Sequence, residues 1–227
     1  MKKAIDLYYN LGVKYAEDIE EMMERVSSFI KNGYNRIAIL YESWESVANH
    51  DEIVETILEK YPETDILILP RFHISGTIFS KRYDSVSRRD IFKIRSRAIR
   101  QRCIISIEDT FFNKPLNPND APKFDIITFY GVGFKKLVKL LKKPVIFEFL
   151  VSKKTVNPKW LMKRLHLLKM LLDYHKLIVS SSSTPYTPIQ LANFIYGIVG
   201  YNNFSYDVIT TLPLKVVEKY LVPRVEG

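Results

Sequence analysis

Lys143-Pro-Val-Ile-Phe-Glu-Phe149, a helical pattern from Pro158 to Tyr174, and Leu177-Ile-Val-Ser-Ser-Ser-Ser183 running into Thr187-Pro-Ile-Gln-Leu-Ala192 form the stretch that decides the fold. Two short apolar runs separated by a helix are too far apart for a hairpin, so they describe a βαβ unit with parallel strands. Asn157 with Pro158, and Thr187 with Pro188, are helix-start signals: a capping side chain followed by a residue that needs no N–H.

Toward the N-terminus the rhythm repeats. Apolar or β-rich runs at Ile5–Tyr9, Arg36–Tyr41, Asp65–Pro70, Arg102–Ile107, Phe124–Phe129, Pro144–Phe149 and Lys176–Ser181 make seven candidate strands. Between them, Asp18–Lys31, His50–Tyr61 and Phe134–Lys142 repeat apolar residues at three- and four-residue steps. This alternation predicts an α/β fold, a TIM-barrel-like (β/α) barrel of about seven parallel strands with surrounding helices, forming one domain over residues 1–227. Two regions break the rhythm: Arg71–Ser87, read as a long loop or small hairpin, and the proline-rich Asn113–Lys123, read as an extended surface connection. At the C-terminus, Ser205–Thr211 and Leu214–Tyr220 read as two helices with Pro213 as the break.

The 227 residues are 47% hydrophobic, with 13 Phe and 14 Tyr, which is ample for one core. No run approaches the roughly 18 apolar residues of a membrane span, and Met1–Asp6 lacks the apolar core of a signal peptide, so a cytoplasmic protein with no membrane partner is expected. Cys103, the single cysteine, reads as a small buried hydrophobe, a catalytic thiol being the alternative. Lysine and arginine exceed aspartate and glutamate by nine, an imbalance that favours a polyanionic partner.

Where the charges sit matters more than their sum. Residues 88–102 hold seven basic side chains against one acid. On a helix, Arg89, Lys93, Arg97 and Arg100 share one face, while Ile91, Phe92, Ile94, Ala98 and Ile99 share the other. Such a row suits phosphate oxygens, since guanidinium groups contact them bidentately and neutralisation releases counterions. The plainer alternative is a solvated outer helix. Arg95 falls on the apolar side, which calls for an irregular helix or a buried partner. A second basic group, Lys153, Lys154, Lys163 and Arg164, follows the strand ending at Phe149, on the side where barrels carry their functional loops.

Asp6, Glu42, Glu108, Asp109 and Glu148 fall near strand ends, so a metal-dependent hydrolase built on strand-end carboxylates is the alternative function. His50, His73, His166 and His175 have no metal-ligand spacing. The serines at 180–183 lie where barrels often bind phosphate, yet without glycine they serve equally well as a cap and connection. Glycine-rich nucleotide motifs and the Gly-x-Ser-x-Gly elbow are absent.

Taken in order, Phe124-Asp-Ile-Ile-Thr-Phe129, Pro144-Val-Ile-Phe-Glu-Phe149, Leu177-Ile-Val-Ser-Ser-Ser182 and Pro188-Ile-Gln-Leu-Ala192 followed by Gly200 resemble the thirty-kilodalton subunit family of ribonuclease P, archaeal protein component 3. The likeness covers about the last hundred residues. It implies a barrel that binds ribonuclease P RNA and supports 5′ leader removal from precursor tRNA. It also implies that the RNA, with Mg²⁺, performs the hydrolysis, that this chain binds no cofactor and supplies no catalytic side chain, and that its partners are the small ferredoxin-like component 2 and other ribonuclease P proteins. The chain departs from the family pattern at Tyr186-Thr187-Pro188, where an arginine usually precedes the helix start, and at Leu150-Val-Ser-Lys-Lys154, where an arginine-containing loop is common.

Overall fold

The computed structural model describes residues 7–62, 64–76, 87–130, 132–152, 157–200 and 206–221. Seven parallel strands form one sheet in sequence order: β1 Tyr9–Lys14, β2 Arg36–Tyr41, β3 Leu67–Ile74, β4 Ile104–Glu108, β5 Ile126–Thr128, β6 Ile146–Val151 and β7 Leu177–Ser181. Helices α1 Ile19–Lys31, α2 Trp44–Ala48, α3 His50–Lys60, α4 Arg88–Arg100, α5 Phe134–Leu141, α6 Pro158–Asp173 and α7 Pro188–Val199 fall between or after them, and α8 Thr211–Leu221 ends the described chain. The sheet curls into a nearly closed barrel. Its outward side chains, among them Ile37, Ile39, Ile105, Ile127, Phe147 and Val179, pack with Phe29, Ile91, Leu137, Leu168 and Ile195 of the helices in the main core.

The expected helix starts are realised. Asn157 accepts from the N–H groups of Lys159 and Trp160, and Thr187 forms a reciprocal capping box with Gln190. Several boundaries differ. The first strand is Tyr9–Lys14 rather than Ile5–Tyr9, and residues 1–6 lie outside the described range. Pro70 does not end the third strand, which continues through Arg71 to Ile74. Asn113–Lys123 is not simply extended, because Pro118–Lys123 forms a 3-10 turn capped by Asn117. The two expected C-terminal helices become a short 3-10 turn, Asp207–Ile209, and a single α8 with Pro213 in its first turn, where the missing N–H interrupts no helical bond.

Period-two alternation fills the barrel in layers. At the N-terminal end Tyr9, Leu11, Ala38, Ile104, Ile126 and Ile178 pack against Leu212, Val216 and Val217, so α8 plugs the bottom. Tyr220 fastens the plug by donating to the Asp125 carboxylate, and Lys219 pairs with the same group at 2.9 Å. At the seam between β1 and β7, the Asn10 amide donates to the Ser181 carbonyl at 3.1 Å and its oxygen accepts from the Ser181 N–H at 3.0 Å. One side chain there replaces two ladder bonds. Gly12 makes this closure sterically possible: a Cβ at that position would lie 2.9 Å from Ser180 Cβ and collide with Leu150 Cδ1. Gly12→Ala is therefore expected to cost about 1–3 kcal/mol by overpacking, read as a lowered urea midpoint at unchanged m-value.

Candidate nucleic-acid interface and barrel mouth

Helix α4 is set by a capping box in which Ser87 and Asp90 exchange hydrogen bonds. The Ser87 hydroxyl holds the Asp90 carboxyl below its ordinary range. The one acid of the segment thus serves the helix start, where negative charge is favoured, and leaves the rest of the helix basic. Ile91 and Ala98 are buried against the barrel, whereas Arg89, Lys93, Arg97 and Arg100 are all exposed. Arg95, which the sequence pattern places on the apolar side, has a partner: its Nε–H donates to the Lys123 carbonyl.

The surface is broader than the four-residue stripe. Arg88, Arg89, Phe92, Lys93, Ser96 and Arg100 border a shallow, open groove. Arg88 reaches Asp120 at 2.6 Å and lies 5.5 Å from the Phe92 ring centre, while Lys123 sits 4.2 Å above the same ring. Arg97 covers Trp44 at 4.6 Å, and Trp44 stacks on Phe72 at 3.8 Å. The aromatic rings thus carry cations on their faces, which positions Arg88, Arg97 and Lys123 beside the exposed basic row. Sequence reading missed Arg88, Lys123 and Trp44 as neighbours of the stripe, because the last two belong to other elements.

The second basic group does not join this surface. Helix α6, carrying Lys163 and Arg164, enters between β6 and β7, with β4, β5 and β6 separating it from α4 in the sheet order. Lys163 is exposed, whereas Arg164 donates to the Tyr130 carbonyl at 2.9 Å and lies 4.6 Å from the Trp160 ring centre. Lys153 and Lys154 lie outside the described residues.

Inside the barrel, at mid-height, Arg71 and Glu148 form a fully buried bidentate pair with both contacts at 2.6 Å. Arg71 also donates to Ser106 Oγ at 2.8 Å, Thr128 Oγ1 at 3.0 Å and the Leu11 carbonyl at 2.7 Å. These bonds use all five guanidinium donors. Burial raises the Glu148 pKa, but the Arg71 charge and hydrogen bonds, with the Ser180 hydroxyl, outweigh it and hold the carboxyl below its ordinary range. Because both oxygens face Arg71, Glu148 is not an open member of a carboxylate site. Among the described residues, no group of three or more His, Cys, Asp or Glu is placed to hold a metal ion.

Above the pair, His73 Nδ1 lies 3.0 Å from Ser106 Oγ, and burial followed by the Arg71 charge pushes its pKa down to about 3. His73 is thus uncharged at neutral pH. In the unfolded chain it takes a proton near pH 6.5, so acidification favours unfolding between that value and about pH 3. Glu148 adds its own loss only below its ordinary 4.5, leaving pH 6.5–4.5 as the histidine window. Stability is expected to fall there by about 2 kcal/mol from His73, with a contribution of the same sign from buried His50. Urea titrations of His73→Gln and the parent at several pH values check this; parallel curves across the window would refute it.

Other expected candidates resolve simply. His50 meets the Tyr41 hydroxyl through Nδ1 at 2.9 Å in the core, and His166 packs beside Phe134. Cys103 is buried, which pushes its thiol up to about 12 and leaves no thiolate for catalysis. Asp109 is buried and accepts from the Val132 N–H at 2.8 Å, and Asp6 lies outside the described residues. Glu42 and Glu108 do reach the C-terminal mouth, a cavity of about 560 Å³ that also takes in Lys14, His73, Tyr130 and the serine loop after β7.

No family model matches the chain, and no curated protein matches it. Solved structures resemble it weakly. A member of the enolase superfamily from Enterococcus faecalis V583 aligns at 11% identity and TM-score 0.35, covering 78% of this chain and 44% of that one. A probable mandelate racemase from Alicyclobacillus acidocaldarius aligns at 13% identity and TM-score 0.30, over 93% of this chain and 49% of that one. A putative dihydrodipicolinate synthetase from Pseudomonas aeruginosa aligns at 12% identity and TM-score 0.40, over 95% of this chain and 85% of that one. The chain spans about half the length of the first two. Among the described residues, no helix is long and apolar enough to cross a membrane.

Proposed function

We propose that the chain is a non-catalytic, RNA-binding subunit of ribonuclease P, of the archaeal component 3 type, acting in the cytoplasm. The observation that carries this reading is the exposed row Arg89, Lys93, Arg97 and Arg100 on one outer helix of the barrel, with Arg97 resting on Trp44 of the neighbouring helix α2. The ordered motifs from Phe124 to Gly200 direct the choice of RNA. In this reading α4 lies along phosphates of ribonuclease P RNA, component 2 and the other protein subunits complete the particle, and precursor tRNA is the substrate of the whole. Mg²⁺ serves the RNA. The Arg71–Glu148 pair supports a scaffold role, because it fills the middle of the barrel with groups that satisfy one another.

Reconstitution tests the proposal. Ribonuclease P RNA and component 2 are mixed with and without this chain, and precursor-tRNA cleavage is followed. Faster 5′ leader removal with the chain present, and none by the chain alone, is the expected outcome. Hydrolysis by the isolated chain with a divalent ion would instead favour the carboxylate hydrolase, and no effect on cleavage would reject the subunit reading.

A further inference from the structure

Charge is spread unevenly around the barrel. Residues 134–199 hold twelve lysines and arginines against two acids, an excess of ten where the whole chain has an excess of nine. Residues 17–59 hold eleven acids against three lysines and arginines. The first stretch contributes α5 and α6, on either side of β6, and the second contributes α1 and α3, on either side of β2. In the sheet order β3, β4 and β5 separate β2 from β6 one way round, and β7 and β1 separate them the other way. One flank of the barrel is thus basic and the opposite flank acidic.

Both flanks present their charges to solvent. Lys135 and Lys139 of α5 and Lys159, Lys163 and Lys169 of α6 are exposed, as are Glu20, Glu21 and Glu24 of α1 and Asp51, Glu52, Glu55 and Glu59 of α3. Among the described residues, the one salt bridge that any of these forms joins Glu21 to Arg25 of the same helix. Large apolar side chains lie among the charges. Phe134, Met162 and Leu165 are 55%, 79% and 40% exposed on the basic flank, and Ile19 and Leu58 are 42% and 40% exposed on the acidic one. Phe134 also lies 6.4 Å from the ring centre of His166, one turn along α6 from Met162. Exposed ion pairs alone contribute little, so apolar side chains of this kind matter: they give a charged contact a core.

We propose that the basic α5–α6 face of one copy docks on the acidic α1–α3 face of a second copy. The two faces point away from each other, so they cannot meet within one molecule. A symmetric pair would set like charges together, which is repulsive. The contact is therefore head-to-tail: each pairing leaves one basic and one acidic face free, and assembly continues past two copies or closes into a ring. This inference does not rest on the RNA reading, because α4, between β3 and β4, belongs to neither face.

Sedimentation velocity of the nucleic-acid-free full chain tests it, from low micromolar to submillimolar concentration. The average mass is expected to rise past that of a dimer, and the association to weaken about tenfold or more between about 0.1 M and 0.5 M salt. Reversing Lys135, Lys139, Lys163 and Lys169 to glutamate makes both faces acidic, and reversing Glu24, Glu52, Glu55 and Glu59 to lysine makes both basic. Each variant alone should lose self-association about tenfold or more, and an equal mixture of the two should recover it, because opposite faces are again available. Melting curves confirm that both variants fold, and each reads the contact from a different side. A monomer at every concentration overturns the proposal and leaves the basic face to an acidic protein or a nucleic acid. Association that ignores salt, that survives either reversal, or that mixing fails to restore overturns it equally.

Discussion

Replacing Arg71 with methionine is expected to lower the free energy of unfolding by about 3–5 kcal/mol, the largest single-site loss anticipated in this barrel. The guanidinium satisfies five acceptors at once, and its removal leaves the Glu148 carboxylate buried with only hydroxyl partners. An ion this deep must either remain unpaired or take up a proton, and both are unfavourable. The double variant Arg71→Met with Glu148→Leu should recover most of the loss, because removing both charges together avoids the uncompensated ion. Equilibrium urea unfolding of the four proteins at pH 7 forms a double-mutant cycle. Additive losses would mean that the pair is not coupled as the 2.6 Å contacts require.

Reversing charge at Arg89, Lys93, Arg97 and Arg100 together is expected to reduce affinity for ribonuclease P RNA by about a hundredfold or more at moderate salt, with the melting temperature nearly unchanged. Each phosphate contact contributes roughly 0.7–0.9 to the slope of log affinity against log salt, so losing four flattens that slope by about 3. The fold should tolerate the change, since all four side chains are exposed and the buried face of α4 rests on Ile91 and Ala98. Arg97 also supplies an internal reporter through its position over Trp44, whose fluorescence should respond to RNA in the parent and not in the variant. Filter binding or anisotropy across a salt series checks the affinity. An unchanged slope would remove α4 from the interface.

The parts that sequence reading recovered are those governed by local rules. Caps at Asn157 and Thr187, the amphipathic face of α4 and the apolar runs of β2, β6 and β7 each follow from residues close in the chain. The misses have long-range causes. Asn10, Gly12 and Lys14 resemble a loop because each is a poor strand former, but the closing seam needs an amide at Asn10 and a side chain of no size at Gly12. Arg71 and His73 likewise looked like the start of an irregular loop after Pro70. Their alternation with Leu67 and Leu69 marked them as inward-facing, yet an inward arginine is intelligible only once Glu148, 77 residues away, is known to meet it. The mouth was half-legible: Glu42 and Glu108 stood out as strand-end carboxylates, while Ser75 lay within the stretch read as loop.

The seam at Asn10 also sets an order of events during synthesis. Its partner Ser181 is 171 residues away, so the first strand leaves the ribosome long before the strand that completes its far edge exists. Until then β1 can pair with β2 on one side while its other edge stays open to a competing strand. In the closed barrel that edge is met by the Asn10 amide on Ser181 and by the Lys14 N–H on the Ser182 carbonyl. The β1–β7 join is thus the last strand pairing of the barrel that can form as the chain emerges.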